Sequence, residues 1–190
     1  MTKRFYIIRH GEKLRIPGDP PLSQTGNRQA LLAAKYLKSI PISKIVASPL
    51  LRTQQTAMHI ADLLGLKVET NELLKERMNW GSDPAQTFPN FLKEWRRGSH
   101  DREWQPPTGD SSLRSGERLE KIIREYLQSE HEHIVLVTHG GITTDFLRNQ
   151  DFDVTLDVNI KECSITIIEA DLSVGKTRLI ALASIDHLKE

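Results

Sequence analysis

The sequence has little of what a membrane protein, a disulfide-bonded protein or a nucleic-acid-binding protein needs. Cys163 is the only cysteine among 190 residues, which excludes an internal disulfide and favours a reducing compartment. No apolar run approaches the ~20 residues of a membrane-spanning helix, and the run after the basic residues 1–4 is too short for a signal peptide. The formal net charge is only +1, so no overall field attracts nucleic acid. We expect a cytoplasmic protein that binds neither membranes nor nucleic acid.

Length and composition indicate one ordinary globular domain. Hydrophobic residues make up 38% of the chain and charged residues 27%, which excludes a disordered or fibrous protein. A chain of 190 residues is long enough to bury a substantial core. We therefore predict a single domain over residues 1–190, present as a monomer or a homodimer.

Strand and helix patterns alternate along the chain. Short apolar runs predict strands at residues 5–8, 44–48, 66–69, 133–137, 163–168 and 177–185. Helical spacing predicts helices after Ser23, over 49–64, at 88–97, near 119–126 and over 143–148. Ser23 and Ser48 are the predicted N-caps of the first two helices, with Pro49 at the first position of the second and Gly65 at its end. This alternation is typical of a three-layer α/β/α sandwich with a mostly parallel central sheet.

Residues 71–112 interrupt the regular pattern. The segment carries all three tryptophans, Trp80, Trp95 and Trp104, together with Phe88, Phe91 and four prolines. We interpret it as an aromatic-rich insertion over one edge of the sheet, where substrate-contacting residues commonly lie. At least two of the tryptophans are expected to fill a small core within this segment.

Cationic or imidazole side chains follow three of the predicted strands. Arg9 and His10 end the first strand, Arg52 lies just after the second, and His139 follows the strand at 133–137. Ligands of parallel α/β sheets bind beyond the carboxyl ends of the strands. The guanidinium fork suits phosphate, and a neutral imidazole can act as a nucleophile or base near pH 7. A lone histidine is commonly structural, but three such strand ends together indicate an enzyme that processes phosphate esters.

Short motifs occur in a fixed order along most of the chain. They are Arg9-His10-Gly11-Glu12, Pro21-Leu22-Ser23 with Gly26 and Gln29-Ala30, Ser48-Pro49-Leu50 with Arg52-Thr53 and Thr56-Ala57, Glu76 before Trp80-Gly81, Pro107-Thr108-Gly109-Asp110-Ser111, and Val137-Thr138-His139-Gly140-Gly141. Chance agreement of all of them in order is very improbable. In this arrangement the chain resembles the histidine phosphatase superfamily, of the phosphoglycerate mutase-like, branch 1 type.

The resemblance implies the two residues that make and break bonds. His10 would be the nucleophile that attacks phosphorus and forms a phosphohistidine. Glu76 would be the general acid that protonates the leaving oxygen and then the general base that activates water.

The resemblance also implies a set of phosphate-binding residues, which would stabilise the charge of the transferring phosphoryl group. The two glycines would let the backbone approach the phosphate or donate from a helix start. The implied set is Arg9, Gly11, Arg52, His139 and Gly140.

The sequence departs from the family pattern in places. Relatives often have an asparagine six residues after the nucleophile, where this chain has Ile16. Lys13 and Arg15 are candidates to replace that contact, although a solvated charged loop is the slightly favoured interpretation. Mutases of this group are usually longer, with a further insertion and a C-terminal tail, which favours hydrolysis here.

The resulting hypothesis is a metal-independent phosphomonoesterase that acts through a phosphohistidine on a small phosphorylated metabolite, with broad specificity as one option. Two alternatives stay open. The first is phosphoryl transfer of the phosphoglycerate mutase type, and the second is a phosphoprotein (including phosphohistidine) phosphatase or regulatory binding protein. The retained candidate catalytic residues argue against an adaptor that has lost its chemistry.

No metal or other cofactor is expected. His131 and His133 flank one glutamate, but zinc-binding helices place their histidines four residues apart and no further ligand cluster accompanies this pair. Residues 173–177 are similar to a phosphate-binding P-loop. Ala170 occupies the place of its first glycine and a strand pattern follows, so we reject that interpretation.

Overall fold

A six-stranded mixed sheet forms the centre of the computed structural model, which describes residues 2–150, 152, 158–171 and 176–189. The strands are β1 (Thr2–Arg9), β2 (Lys44–Ala47), β3 (Val68–Thr70), β4 (His133–Thr138), β5 (Ile165–Asp171) and β6 (Lys176–Ser184). They run in the spatial order β3-β2-β4-β1-β5-β6. The first four in this order are mutually parallel, whereas β5 is antiparallel to β1 and β6 is antiparallel to β5.

Helices cover both faces of this sheet. They are α1 (Gln24–Leu37), α2 (Leu51–Leu64), α3 (Phe88–His100), α4 (Ser112–Leu127) and α5 (Gly140–Asn149), with short 3-10 helices at Glu72–Leu74 and Asp186–Leu188. Phe5 and Ile7 of β1 pack in the core shared with α4 and α5, while Tyr6 and Ile8 pack in the core shared with α1 and α2. Alternate residues of a strand face opposite sides, so an all-apolar run fits a strand buried on both faces. The predicted three-layer α/β/α fold is confirmed.

The start of α2 differs from the prediction. The helix begins at Leu51, and its N-cap is Leu50, which makes no side-chain capping bond. Both carboxylate oxygens of Asp19 accept from the Leu51 amide, at 2.9 and 3.0 Å. The prediction of Ser48 as N-cap and Pro49 as the first helical residue is therefore wrong, because a distant loop supplies the capping oxygen that local sequence rules assign to the preceding serine. The predicted end is confirmed, since Gly65 adopts a left-handed conformation with φ 68°.

Other boundaries shift by a few residues. Helix α5 begins at Gly140, directly after its strand, instead of near Thr143. Strand β5 begins at Ile165 because Cys163 has a φ of 52°, which breaks the extended run. The amide of Cys163 donates to the carbonyls of Arg9 and His10, so this bend closes against the end of β1. Of the P-loop-like segment, residues 173–175 lie outside the described residues and Lys176 and Thr177 begin β6.

No helix among the described ranges is both long and apolar enough to cross a membrane.

A close contact between two glycines joins the loop after β1 to helix α1. A Cβ atom on Gly26 would overlap the backbone of Glu12, and one on Gly11 would overlap the Gly26 carbonyl. Both obstacles are backbone atoms, which cannot rotate away as a side chain can.

We expect Gly26→Ala to destabilise the protein by about 1–3 kcal/mol, as overpacking of a tight contact does. An ordinary glycine-to-alanine change inside a helix stabilises by up to about 1 kcal/mol, so the steric overlap reverses the usual sign. Denaturant unfolding measures the difference. Thr25→Ala, at the exposed neighbouring position of the same helix, is the control, and an equal or raised stability of Gly26→Ala would contradict the contact.

Candidate active site

The register of three parallel strands brings the predicted site residues to one edge of the sheet. Arg9 of β1 pairs with Thr138 of β4, and Ala47 of β2 pairs with Val137. The residues that follow these pairs therefore lie side by side beyond the carboxyl ends. The rings of His10 and His139 meet edge to face, with their centroids 5.2 Å apart.

His10 has one nitrogen available for reaction. Its Nδ1 lies 2.7 Å from the Gly11 carbonyl oxygen, which can only accept, so Nδ1 carries the proton. The lone pair of Nε2 then accepts from Arg52 Nε at 3.2 Å. Burial lowers the pKa of His10 well below its usual value, and the charges of Arg52 and Arg9 lower it further. The imidazole therefore stays neutral at and below neutral pH, as a nucleophile must.

His139 lies beneath His10 and is fully buried. Its Nε2 is 2.9 Å from Ser48 Oγ, and within the described part of the chain its buried Nδ1 has no hydrogen-bond partner. Burial lowers its pKa well below the usual value, followed by the effects of His10 and Arg52. It does not line the cavity described below. Its contact with the reaction centre in this structure runs through the ring of His10.

Carbonyl and carboxylate groups hold the guanidinium of Arg9. Nη1 donates to the Ile160 carbonyl and Nη2 to Glu162 Oε1, both at 2.6 Å. Sequence reasoning did not identify Glu162, which lies more than 150 positions away and carries no local motif. Its residue type alone gives no signal that it pairs with Arg9.

Two loops hold Arg52. Its Nη2 donates to Asn79 Oδ1 at 3.1 Å, and its Nη1 lies 3.5 Å from Asp19 Oδ1. Asn79 in turn donates to the Gly18 carbonyl at 2.7 Å, which joins the loop after β1 to residues 77–81. Asn79 is a further site residue that the sequence analysis missed.

Five buried arginine nitrogens have no hydrogen-bond acceptor in the described structure. Two of them, Arg9 Nε and Arg52 Nη1, belong to the predicted phosphate-binding residues. Buried donors are normally satisfied, and an unsatisfied one costs about 1–3 kcal/mol. Both residues line one cavity with His10. Their guanidinium groups are suited to bind an oxyanion beside the reactive Nε2.

The Glu76 carboxylate lies at the start of α5. Oε1 accepts from the amides of Arg77 and Ile142, both at 2.9 Å, and Oε2 accepts from the Gly141 amide at 3.0 Å. A carboxylate offers about four acceptor positions, so one position on Oε2 stays available for a proton. A Cβ on Gly141 would be 2.5 Å from Glu76 Oε1, so only glycine permits this approach.

The two other acids of the sequence motifs, Asp110 and Glu12, lie elsewhere. Asp110 pairs with Arg118 at 2.8 Å, and Glu12 accepts from the Ser23 hydroxyl at 2.6 Å. Neither lines the cavity, whereas Glu76 does.

The two predicted phosphate-binding glycines have different surroundings. The Gly11 amide donates to Thr56 Oγ1 at 3.1 Å, and its Cα faces Gly26, so tight packing explains this glycine. Gly140 is the first residue of α5 and lines the cavity beside the Arg9 side chain. The positive end of a helix dipole favours an anion at that position.

The cavity has a volume of about 810 Å³ and opens beyond the carboxyl ends of β1 and β4. Residues 71–112 contribute much of its wall, including Trp80 and Trp95. Trp80 packs against Phe88 and Trp95 against Phe91, as predicted for a small core, and both tryptophans line the cavity as well. Trp104 alone packs away from this cavity, with its ring against Gly98 and 4.7 Å from the Arg97 guanidinium.

The loop that lacks the usual asparagine supplies a lysine instead. Lys13 is half-buried and lines the cavity, whereas Arg15 and Ile16 are exposed. Burial lowers the pKa of Lys13, and the charges of Arg52 and Arg9 lower it further. Lys13 is therefore not a fully solvated charge, and its contact with a phosphate stays a prediction. Its backbone pairs with Leu22 across the loop.

A buried ion pair in the wall was not identified from the sequence. Arg77 Nη1 donates to Asp145 Oδ1 at 3.0 Å, and Ser112 donates to the same oxygen at 2.6 Å. Burial raises the pKa of Asp145 to about 6 despite the nearby Arg77. The Arg77 guanidinium also stacks 4.2 Å from the Trp95 ring. These contacts join the segment before α3 to α5.

No group of three or more histidine, cysteine, aspartate or glutamate side chains suited to a metal ion occurs in the ranges that the structure describes.

Comparison with known proteins agrees with this geometry. The chain is 34% identical over 150 residues to the probable phosphoglycerate mutase GpmB of Yersinia enterocolitica, covering 72% of this chain and 69% of that protein. A mycobacterial glucosyl-3-phosphoglycerate phosphatase in complex with inorganic phosphate superposes with a TM-score of 0.81 and 25% identity, over 98% of this chain and 100% of that one.

A more distant structure shares the fold. The phosphoserine phosphatase of Entamoeba histolytica, in complex with 3-phosphoglyceric acid, has a TM-score of 0.75 and 24% identity, covering 98% of this chain and 100% of that one. The family model of the histidine phosphatase superfamily, branch 1, matches residues 5–181. With nearly the whole chain matched, and with the paired imidazoles and arginines at one sheet edge, the chain belongs to the histidine phosphatase superfamily, branch 1.

Proposed function

We propose that this protein is a metal-independent phosphomonoesterase that hydrolyses a small phosphorylated metabolite through a phosphohistidine on His10. One observation carries the proposal. The neutral, buried Nε2 of His10 accepts from Arg52 Nε in a cavity that Arg9 also lines. Within the described residues, the buried donors Arg9 Nε and Arg52 Nη1 have no hydrogen-bond acceptor. A phosphoryl group supplies the missing acceptors and presents phosphorus to the nucleophile.

In the first step, the Nε2 lone pair of His10 attacks phosphorus and the bond from phosphorus to the leaving oxygen breaks. Arg9 and Arg52 donate to the non-bridging oxygens, whose charge the fixed guanidinium groups stabilise in the transition state. The start of α5 at Gly140 supports the same charge distribution from beside the phosphoryl group. The buried His139 ring acts by packing against His10. The chain's own cations thereby supply charge stabilisation of the kind that a metal ion provides in other phosphatases.

Glu76 moves the protons. Its free position on Oε2 gives a proton to the leaving oxygen in the first step. The resulting carboxylate then takes a proton from the water that attacks the phosphohistidine, and inorganic phosphate leaves with His10 restored. The first step needs a neutral His10 and a protonated Glu76. His10 stays neutral in mildly acidic solution, where a carboxyl group is more easily protonated. We therefore expect the rate to be highest on the acidic side of neutral.

Phosphoryl transfer of the mutase type is the second candidate, because the Yersinia relative is named a probable phosphoglycerate mutase. Both reactions share the phosphohistidine and differ in what accepts its phosphoryl group. Transfer of the group to an added hydroxy acid, in preference to water, would favour the mutase reaction.

We expect His10 to be phosphorylated during turnover of an aryl phosphate. A bond from phosphorus to imidazole survives alkali, so alkaline quenching and peptide mapping detect the label. His10→Ala should remove both the label and the turnover, because a covalent nucleophile has no substitute. His131→Ala, at a histidine outside the cavity, should retain both. Normal turnover of His10→Ala, or a label on His139, would refute the assignment.

We expect Glu76→Gln to impair alkyl phosphates far more than aryl phosphates, whose good leaving groups need little protonation. Steady-state kcat/KM for both substrate types measures the effect. The carboxylate also accepts three backbone amide bonds, so the substitution disturbs α5 as well. Such a disturbance lowers both rates equally, and equal losses would therefore show a purely structural Glu76.

We expect Lys13→Met to lower kcat/KM by roughly 10- to 100-fold, since a charged donor at the phosphate site is lost. Inhibition by vanadate should weaken in parallel, because vanadate can imitate the trigonal phosphoryl group. Arg15→Met is the matched control: it removes the same charge two residues along the loop, from an exposed position. If both substitutions have equal effects, Lys13 acts only through the overall electrostatic potential of the loop and not through contact with the phosphate.

A further inference from the structure

The cavity extends well beyond the place of a phosphoryl group along helix α5. Gly140, Gly141, Thr144, Asp145 and Arg148 all line it. These positions repeat every three or four residues, so they form one face of the helix. Arg148 lies eight residues after Gly140, which is about 12 Å along the axis at 1.5 Å per residue. The cavity is therefore a trough with the phosphate site at one end and Arg148 at the other.

Helix α3 forms the opposite wall with aromatic rings. Phe88 and Phe91 stack with centroids 6.3 Å apart, and Phe91 lies 5.9 Å from Trp95. The next turn of the helix adds Arg96 and His100 to the lining. The Arg148 guanidinium donates to the Ser99 carbonyl at 2.9 Å, which locates Arg148 beside this last turn. The aromatic rings thus line the middle of the trough, and the guanidinium groups of Arg96 and Arg148 line its far end.

The far end carries more positive than negative charge. Among the described residues that line the far end, Asp145 is the only acidic one. Its charge is balanced by the ion pair with Arg77. Within the same ranges, neither Arg96 nor Arg148 forms an ion pair. The C-terminal ends of α3 and α5 lie here and contribute roughly −0.5 each. Counted over the described residues, the two arginines without an ion pair and about one negative unit from the helix ends give a charge of roughly +1.

Arg148 keeps donors available for a ligand. Among the described residues, the hydrogen bond of Arg148 runs from Nη1 to the Ser99 carbonyl, and none of its nitrogens is a buried donor without a partner. Burial lowers the pKa of Arg148, and nearby Arg102 adds to the effect. A desolvated guanidinium with little counter-charge gains strongly from a charge-assisted hydrogen bond.

We propose that Arg148 and Arg96 form a second anion-binding subsite for the substrate's leaving group, across the aromatic wall from His10. The inference rests on the proposed phosphatase function and specifies its substrate class. That class is a phosphomonoester with a flat apolar body, long enough to span the trough, and a second anionic oxygen acid at its far end. The ring body packs on Phe91 and Trp95, and the guanidinium groups receive the carboxylate or second phosphate.

Binding of non-hydrolysable phosphonates tests this subsite without requiring turnover. The ligands are biphenyl-4-ylphosphonate, its 4′-carboxylate derivative and biphenyl-4,4′-bisphosphonate, titrated calorimetrically into the full chain. Competition by inorganic phosphate confirms that one phosphonate occupies the His10 end. We expect the anionic far group to tighten binding by about tenfold or more. The stronger of the two anionic ligands tells whether the subsite prefers carboxylate or phosphate.

Arg148→Gln and Arg96→Gln should each reduce that preference several-fold while leaving the affinity for biphenyl-4-ylphosphonate nearly unchanged. Arg124→Gln removes the same charge from an exposed position on α4, where Arg124 pairs with Glu120, and should keep the preference. If Arg148→Gln does not fold because its bond to α3 is lost, Arg96→Gln decides the question from an exposed position.

Equal affinities of wild-type protein for the three ligands would overturn the subsite, as would variants that keep the full preference. The outcome is separable from that of the proposed function. If the anionic ligands bind more tightly but His10 is not phosphorylated during turnover, only the phosphatase reaction is refuted. If His10 is phosphorylated but the three ligands bind equally, only the subsite is refuted.

Discussion

The site depends on keeping arginine charges and neutral imidazoles next to each other out of water. Each guanidinium favours the neutral form of the nearby imidazole, and burial of His10 favours it further. The same burial makes an unpaired guanidinium donor costly, which creates the demand for an anionic ligand. Nucleophile activation and phosphate attraction therefore have one physical cause.

Such a cluster is stable only because distant segments hold the arginines in place. Glu162 and the Ile160 carbonyl fix Arg9 from the segment before β5. Asn79 and Asp19 fix Arg52 from two different loops. In the part of the chain that the structure describes, Arg9 Nε and Arg52 Nη1 make no hydrogen bond, and Nη1 has only the longer ion pair with Asp19, so the arginines are oriented yet still able to bind. A lysine could not bind protein groups with one nitrogen and the ligand with another, since its three donors share one nitrogen.

Backbone groups also position the catalytic side chains. Helix α5 starts immediately after β4, and its first amides hold the Glu76 carboxylate beside the phosphate end of the cavity. That approach requires glycine at position 141, just as the turn after His10 requires Gly11 and Gly26. Proton transfer, phosphate binding and leaving-group space therefore lie along one helix, with α3 as the opposing wall.

The sequence by itself determined the sheet, its layers and the strand ends that carry Arg9, His10 and His139. Their signals are local: a fully apolar run of strand length, helical spacing of alanines and leucines, and charged residues directly after a strand. Tertiary structure alone decided which groups hold those residues. Asp19 caps α2 in place of Ser48, Glu162 pairs with Arg9 across about 150 residues, and Lys13 faces the cavity while Arg15 does not. The physical reason is that a polar side chain's partner depends on loop closure and burial, which no local pattern encodes.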